Sequence, residues 1–341
     1  MNPLSFLYGQ IAQARAGLFA SGRLRSHRLP APVVSVGNLT LGGTGKTPFV
    51  EFVARRLRFD GFHPAVLSRG YGRRSRGVVV VSCGDGPLVT AQRGGDEPVA
   101  LARRLPGVPI VVGQRRAAAA AEAASLGADL FVLDDGYQHL ALARDANLLL
   151  LDARDPFGGG KLPPAGRLRE PLSAIGRADA VVFTRIERGF PTGQAERTVA
   201  LLAPEAPIFH AAIRPDGLRD EAGSPLDARE VARRRCVAAC GVAQPARFAA
   251  ALSALDLVAE QMFVFADHHR YTDRDLTRIR RAADRTGAAM LVTTEKDAVK
   301  LAGRVTLPLV TVRLEVEVVE PGFFPWLALR IGGSEGYSQP S

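Results

Sequence analysis

A short apolar strand, a glycine-rich turn and an amphipathic helix follow one another near the start of this 341-residue chain. Residues 31–36 (APVVSV) have the β-branched composition of a buried strand, and residues 49–59 show the apolar period of a helix. The turn between them ends in Gly45-Lys46-Thr47. Backbone N–H groups in such a turn, with the helix dipole behind them, are suited to hold phosphate oxygens. This order of elements predicts a nucleotide-phosphate loop in a parallel α/β sheet.

The predicted phosphate loop includes the whole glycine-rich turn and the start of the helix. Lys46 would reach the β and γ phosphates of a nucleotide, and the Thr47 hydroxyl would contact Mg²⁺. The loop departs from the usual GxxxxGK[ST] spacing, because Thr40 stands where the first glycine is expected. The residues assigned to nucleotide binding are Thr40, Leu41, Gly42, Gly43, Thr44, Gly45, Lys46 and Thr47.

A second motif, DDGYQH (134–139), follows the apolar strand predicted at 130–133. Carboxylates at the carboxyl end of a strand beside the phosphate-loop strand lie where Mg²⁺ is held in nucleotide-binding proteins. Asp134 and Asp135 are therefore the predicted Mg²⁺ ligands. Gln138 is predicted to orient water, ribose or substrate.

Other charged residues follow predicted strands or begin predicted helices. They are Arg69 after strand 65–68, Arg115 and Arg116 after strand 109–112, and Asp96 at the start of a helix that runs to 104. A long loop rich in Gly and Pro, residues 157–171, adds Arg167 and Arg169. Because the carboxyl ends of parallel strands share one edge of a sheet, these loops are predicted to form one composite site.

Strands that alternate with helices predict the fold class: an α/β, P-loop NTPase-type, doubly wound and mostly parallel sheet, with a second, smaller α/β domain. Residues 208–218 are predicted to be an extended linker with a turn. The predicted divisions are 1–28 (N-terminal interfacial helix and basic segment), 29–207 (P-loop domain), 208–330 (smaller α/β domain with linker strands) and 331–341 (polar, disordered tail).

Residues 4–19 are predicted to form a helix that is too short and too interrupted to span a bilayer. Its apolar face comprises Leu4, Leu7, Tyr8, Ile11, Ala14, Leu18 and Phe19. The basic residues that follow it are Arg23, Arg25, His27 and Arg28. Such a pair of segments is typical of an anchor on an anionic membrane surface, and an ordinary helix packed on its own domain is the alternative.

The chain is basic, with 44 Lys and Arg against 34 Asp and Glu, and four of the 44 are Lys. A positive balance of this kind permits nucleic acid, anionic lipid or a phosphorylated substrate as a partner. Aromatic residues make up 6% of the chain, and no nucleic-acid-binding motif is present, so no nucleic-acid partner is predicted. The three cysteines lack metal-binding spacing.

Seven motifs occur in order along the chain. They are VGNLTLGGTGKTP (36–48), LSRGYGR (67–73), GGDEP (94–98), DDGYQH (134–139), LPPAGRLREP (162–171), FADHH (265–269) and TTEKDAV (293–299). Together they resemble the tetraacyldisaccharide 4′-kinase family of lipid A biosynthesis, in which Thr40 is also expected. The resemblance implies a peripheral enzyme on the cytoplasmic face of the bacterial inner membrane. It would transfer the γ-phosphoryl group of ATP-Mg²⁺ to the 4′-hydroxyl of an acylated glucosamine disaccharide 1-phosphate.

The same resemblance implies roles for individual residues. Asp96 would be the catalytic base and His268 its dyad partner, which requires the second domain to close over the first. Arg116 would stabilise the transferring phosphate, although a shift of one residue would assign that role to Arg115. Gln138, Arg69, Arg167 and Arg169 are assigned to substrate positioning. The alternative function is that of another P-loop NTPase, either a GTP-driven metallochaperone or an ATP-dependent ligase; no protein partner is indicated.

Overall fold

A computed structural model of the chain describes residues 2–187 and 190–332. Its strands are β1 Val33–Asn38, β2 Pro64–Ser68, β3 Val79–Ser82, β4 Ile110–Val112, β5 Leu130–Asp134, β6 Ala146–Asp152, β7 Ala180–Thr184, β8 Ile208–Arg219, β9 Pro225–Leu226, β10 Cys236–Cys240, β11 Ala259–Val264, β12 Met290–Thr294 and β13 Leu309–Val318. Its α-helices are α1 Pro3–Ala20, α2 Lys46–Phe59, α3 Ala91–Gly94, α4 Asp96–Arg104, α5 Arg116–Ser125, α6 Gly193–Leu202, α7 Ala228–Ala232, α8 Pro245–Ala254, α9 Asp273–Thr286, α10 Glu295–Leu301 and α11 Phe323–Arg330.

The strands form one sheet in the order β11-β10-β12-β13-β8-β7-β6-β1-β5-β2-β4-β3, with β9 paired to β8. Most neighbours are parallel, and the antiparallel pairs are β13 with β8, β3 with β4 and β8 with β9. The phosphate-loop strand β1 lies between β5 and β6. The carboxyl ends of these three parallel strands therefore meet at one edge, as the sequence predicts.

The central strands are buried on both faces, which explains their unbroken apolar sequences. Helix α2 packs Phe49, Val50, Val53 and Leu57 against one face of β1 and β5. Helix α5 covers part of the other face with its alanines. This packing fixes the start of α2 directly beyond the carboxyl end of β1, where the phosphate loop lies.

The segment predicted as an extended linker with a turn forms the long strand β8, so its extended conformation is confirmed and the predicted turn is wrong. Pro215 and Gly217 indicate a break in the sequence, but β8 pairs with β7 on one side and with β13 on the other. The irregularity is confined to a register shift opposite Val312 and Leu314, where Gly217 has a φ of 106°. The hydrogen bonds of the sheet thus continue across position 208, the predicted boundary between the two domains. The division of the chain into two domains stays a prediction.

The first helix and the last described residues can be compared with the predicted N-terminal helix and the predicted polar tail. Helix α1 begins after Asn2, whose side chain accepts a hydrogen bond from the Leu4 amide, and its extent agrees with the predicted helix. Ile331, assigned to the polar tail, is 5% exposed and packs in the core beside α11. The rest of the predicted tail, residues 333–341, lies outside the described residues. Across residues 2–187 and 190–332, every helix falls short of the length and apolarity needed to cross a membrane.

Candidate active site

The phosphate loop leads directly into helix α2, which begins at Lys46, three residues earlier than the apolar period alone indicates. Gly45 precedes the helix with a φ of 85°. A Cβ at this position would lie 2.2 Å from Ile213 Cδ1, the movable end of that side chain, so the backbone conformation is the main reason for glycine here. The Thr184 hydroxyl donates a hydrogen bond to the Thr44 carbonyl at 2.8 Å and holds the loop from the end of β7.

Lys46 connects the phosphate loop to the acidic motif. Its Nζ donates to Asn38 Oδ1 at 3.0 Å and lies 3.5 Å from Asp135 Oδ1. The Asn38 side-chain amide in turn donates a hydrogen bond to the Thr40 carbonyl at 2.7 Å. The Asn38 backbone carbonyl accepts a hydrogen bond from Gln138 Nε2 at 2.9 Å. The fold therefore brings together Lys46, Asp135 and Gln138 around the buried end of β1, with Asn38 as a connecting residue that the sequence analysis missed.

Asp134 is a buried carboxylate at the end of β5. Its Oδ2 accepts a hydrogen bond from the Ser68 hydroxyl at 3.0 Å, whereas its buried Oδ1 has no hydrogen-bond partner within the described residues. Burial raises the pKa of Asp134 to about 7, and the negative charges of Glu97 and Asp135 act in the same direction. An unpaired buried carboxylate oxygen is costly without a cation, so this atom fits a metal ligand.

Asp135 has a different environment, although it is the next residue. Its φ is 53°, which turns the side chain toward Lys46 and Arg169. Burial raises the pKa of Asp135, but the charges and hydrogen bonds of Lys46 and Arg169 outweigh burial, and the pKa lies below its ordinary value. Asp134 thus has one carboxylate oxygen without a hydrogen-bond partner in the part of the chain that the structure describes, whereas the Asp135 carboxylate is ionised and paired with Lys46 and Arg169.

Arg116 and Arg115 are separated by burial. Arg116 is the first residue of α5 and is 3% exposed, and its Nη1 donates to the Gly113 carbonyl at 2.7 Å. Burial lowers the pKa of Arg116 to about 10, while the charges of Asp134 and Asp135 raise it. Arg115 is exposed. Arg116 therefore lies in the electric field of the acid pair, and its role in stabilising the transferring phosphate stays a prediction.

The Gly- and Pro-rich loop lies against the phosphate loop. The Leu41 amide donates to the Arg167 carbonyl at 2.7 Å, and the Arg169 amide donates to the Leu39 carbonyl at 2.6 Å. The Arg169 side chain points into the site, whereas Arg167 is exposed and pairs with Asp155. Arg69, at the end of β2, is also exposed. Of the three predicted positioning arginines, Arg169 thus contacts the acidic motif.

Asp96 and His268 meet although 172 residues separate them: His268 Nδ1 lies 3.3 Å from Asp96 Oδ2. Asp96 is the first residue of α4, and His268 adopts a φ of 58° in the loop before α9. Burial raises the pKa of Asp96, but hydrogen bonds and charge from His268 and Lys300 outweigh burial, and the net pKa is lowered. Asp96 is therefore an ionised carboxylate with a histidine partner, which is suited to accept a proton from a hydroxyl group.

Comparison with known proteins decides between the two predicted functions. The model of the tetraacyldisaccharide-1-P 4′-kinase family matches residues 1–331. The chain belongs to this family. The tetraacyldisaccharide 4′-kinases of Anaeromyxobacter sp. (strain Fw109-5) and Syntrophus aciditrophicus (strain SB) are 45% and 41% identical to it over 315 and 320 residues. Both alignments cover 90% of this chain, with 84% and 86% of the relatives' lengths.

A solved structure supports the same assignment. LpxK from Aquifex aeolicus, an "apo" form in complex with ATP, matches with a TM-score of 0.80 at 33% identity, over 96% of this chain and 97% of that chain. The predicted family, the α/β fold class and the kinase activity in lipid A biosynthesis are thereby confirmed. The prediction of ATP as the nucleotide agrees with the ATP-bound relative. Family membership excludes the alternative of a metallochaperone or ligase.

Two further arginines of this kinase reach the phosphate loop and were missed by the sequence analysis. Arg185, after β7, and Arg247, on α8, both donate to the Gly43 carbonyl, the latter at 3.0 Å. Both also pair with Asp152, the buried last residue of β6. The available signal was position, because Asp152 ends β6 and Arg185 directly follows β7, and the carboxyl ends of these strands form the ligand edge.

Proposed function

We propose that Asp96 is the general base of this 4′-kinase and that Lys46 and Arg116 stabilise the transferring γ-phosphoryl group of ATP. The observation that carries the proposal is the contact of Asp96 with His268, whose Oδ2 and Nδ1 atoms are 3.3 Å apart. The acceptor would be the 4′-hydroxyl of a tetraacylated glucosamine disaccharide 1-phosphate. Its product would carry phosphate at both the 1 and the 4′ positions.

In this mechanism Asp96 accepts the proton of the sugar hydroxyl while the oxygen of that hydroxyl attacks the γ phosphorus. The bond between that phosphorus and the bridging oxygen of ADP breaks in the same displacement. Lys46 and the backbone N–H groups of 42–47 would neutralise the charge on the β and γ phosphates. Arg116, which faces the acid pair from α5, would add a second positive charge.

The residues beside the phosphate loop fit Mg²⁺. Asp134 offers a buried, unpaired oxygen, and Thr47 and Asp135 add further hard oxygen donors. Within residues 2–187 and 190–332, no group of three His, Cys, Asp or Glu side chains is arranged to hold a metal by itself, so phosphate oxygens would complete the coordination. When bound, Mg²⁺ would neutralise charge that develops on the phosphate oxygens.

Association with the membrane is proposed for helix α1. Gly9 faces Leu162, and the Ser5 and Tyr8 hydroxyls donate to the carbonyls of Leu162 and Arg169 at 3.0 and 2.9 Å. The helix thus packs on the loop through small and polar residues. Apolar side chains on its other side are exposed, namely Leu4, Phe6, Leu7, Ile11 and Leu18.

The two alternatives for α1 are a membrane anchor and a helix packed on its own domain. The arrangement has features of both, because α1 packs on the Gly- and Pro-rich loop while most of its apolar stripe is exposed. Arg23, Arg25 and Arg28 follow on the surface, and Arg28 pairs with Asp145. Apolar side chains beside exposed arginines support insertion at an anionic surface. We therefore propose a peripheral location on the cytoplasmic face of the inner membrane, where the acylated substrate would be accessible.

The decisive experiment supplies ATP-Mg²⁺ and tetraacyldisaccharide 1-phosphate in detergent micelles to the purified chain and measures the 4′-phosphorylated product by mass spectrometry. Asp96→Asn and Lys46→Ala should each lower kcat at least about a hundredfold, the scale of a lost base or phosphate contact. A matched control, Asp284→Asn, removes an exposed carboxylate on α9 and should retain activity. Full activity of Asp96→Asn would exclude Asp96 as the base.

Closure of the segment that carries His268 over the one that carries Asp96 is proposed to gate the reaction. The contact between α4 and α10 and the Asp96–His268 pair support it, because both join segments distant in sequence. A disulfide that locks the two segments apart should abolish turnover, and reduction should restore it. Equal activity in the locked and reduced forms would refute gating.

A further inference from the structure

Three of the four lysines of this chain lie in the site. The side chains of Lys46, Lys296 and Lys300 are 13%, 17% and 10% exposed, whereas Lys161 is exposed. All other cationic side chains among the 44 Lys and Arg are arginines. Lysine differs from arginine in presenting a compact ammonium with three donors instead of a planar fork. The three partly buried lysines therefore place compact positive charges in the site.

Lys296 contacts the histidine of the dyad. Its Nζ donates to His268 Nε2 at 3.0 Å and to Asp267 Oδ1 at 2.8 Å, and it lies 3.4 Å from Glu97 Oε1. An ammonium group has donors only, so Nε2 of His268 must be the acceptor of this hydrogen bond. In the neutral ring the proton is then on Nδ1, the atom that lies 3.3 Å from Asp96 Oδ2.

Lys300 contacts the carboxylate of the dyad. It lies one helical turn after Lys296 on α10, and its Nζ is 3.2 Å from Asp96 Oδ2 and 2.9 Å from Asp297 Oδ1. Asp297 is itself fully buried and accepts hydrogen bonds from the Gly241 amide and the Thr294 hydroxyl at 2.8 and 2.7 Å. Lys300 thus makes ion pairs with both carboxylates.

We infer that Lys296 and Lys300 are positioning residues of the phosphoryl transfer. Lys296 fixes His268 as the tautomer that donates from Nδ1 to Asp96, and Lys300 keeps Asp96 ionised and oriented. The inference rests on the proposed function, in which Asp96 is the base. Both lysines act through the dyad, so neither requires a contact with ATP or the sugar.

Other charged groups surround the dyad and set the background for any pH dependence. Glu97 follows Asp96 on α4. Glu295 and Asp297 lie beside the two lysines on α10. The residues that flank His268 are Asp267, His269 and Arg270. The loop after β2 brings the Tyr71 ring to 4.9 Å from the His268 ring and carries Arg69, Arg73 and Arg74. Lys300 differs from these groups because it makes an ion pair with Asp96 directly.

The tautomer can be measured on the unmodified protein. Long-range ¹H–¹⁵N correlation spectra of histidine-labelled protein distinguish a protonated ring nitrogen from an unprotonated one, and His268→Gln identifies the signals of His268. We expect the Nδ1–H tautomer in the wild type and a shift toward the Nε2–H tautomer in Lys296→Met. Protonation of Nε2 in the wild type would overturn the role of Lys296 even if the variant does not fold.

The role of Lys300 is measured by the pH dependence of kcat/KM. Lys300→Met should move the acidic limb of the profile upward by about one pH unit, because a carboxylate loses a neighbouring positive charge. KM for ATP should stay unchanged, and Lys300→Arg should restore most of the wild-type limb. The matched control, Arg280→Met, removes an exposed cation on α9 and should leave the limb in place. An unmoved limb in Lys300→Met would contradict the inference.

The double variant Asp96→Asn/Lys300→Met separates this inference from the proposed function. If Lys300 acts through Asp96, the second substitution should add less than a twofold loss to that of Asp96→Asn. Independent, multiplicative losses would overturn the inference and leave the proposed function intact. Full activity of Asp96→Asn alone would instead reject the proposed function itself.

Discussion

Arg169 Nη1 donates hydrogen bonds to both carboxylate oxygens of Asp135, at 2.9 and 2.8 Å. The pair joins the Gly- and Pro-rich loop to the end of β5 and holds the carboxylate that lies 3.5 Å from Lys46. Removing the arginine would leave Asp135 to pair with Lys46 alone and would release the loop from the acidic motif. The geometry around the phosphate loop therefore depends on a contact between segments that are 34 residues apart.

Arg169→Ala should lower kcat about tenfold to a hundredfold, since a small displacement of charged groups is costly in phosphoryl transfer. Steady-state kinetics with ATP and the acylated disaccharide would measure it. Arg235→Ala is the control, because it removes an arginine from an exposed pair with Glu260. Equal kcat values for Arg169→Ala and wild type would show that Asp135 needs no partner from the loop.

Gly45→Ala should destabilise the fold and weaken ATP binding. Position 45 has a φ of 85°, and the added Cβ would lie 2.2 Å from Ile213 Cδ1. Left-handed strain costs about 1–2 kcal/mol, and the end of the Ile213 side chain must shift to admit the Cβ. Thermal unfolding and nucleotide titration would measure the two effects.

Gly43→Ala is the matched control for stability in the same loop. A Cβ at Gly43 meets nothing within 4 Å, and its φ is outside the left-handed region. Its melting temperature should lie close to that of the wild type. If both variants lost equal stability, neither the φ nor the Ile213 contact of Gly45 would be the cause.

His210 should make stability depend on pH. Its Nδ1 and Nε2 lie 2.7 and 2.9 Å from Glu320 and Glu196. Burial lowers the pKa of His210, but the two carboxylates outweigh burial, and the pKa is raised. A raised folded-state pKa means that this contribution is complete below the unfolded pKa, about 6.5, and is lost as the pH rises through the folded pKa.

The measurement is urea unfolding of wild type and His210→Gln at about pH 6 and about pH 9. The wild type should be the more stable protein at the lower pH, and the difference in free energy of unfolding should shrink at the higher one. A difference that is equal at both pH values would mean that the contacts of His210 stabilise the fold without charge.

Leu7→Glu/Ile11→Glu should reduce flotation with vesicles that contain anionic lipid. The two side chains are 56% and 61% exposed on α1, and inserting each is worth about 1.5–3 kcal/mol. Leu201→Glu is the control, because Leu201 is 84% exposed and belongs to α6, a different helix. Unchanged flotation of the double variant would assign membrane binding to another surface.

Local sequence patterns predicted the elements of the site well. The strand composition of 31–36, the glycine-rich turn and the placement of Asp134 at a strand end all depend on neighbours along the chain, and β1 and β5 do pair. The prediction of a turn within β8 failed because Pro215 and Gly217 are local breaking signals. Pairing with β7 and β13 on its two sides outweighs them, and strand formation depends strongly on such context.

The sequence by itself determined the family, the phosphate loop and the acidic motif, because each is a compact pattern whose chemistry depends on adjacent residues. The tertiary structure alone decided that Arg116 is buried beside the acid pair while Arg115 is exposed. It also decided that Lys296 and Lys300 reach a dyad formed across 172 residues. The order of strands and the packing of α4 on α10 set these distances, and no local pattern records which distant segments a sheet brings together.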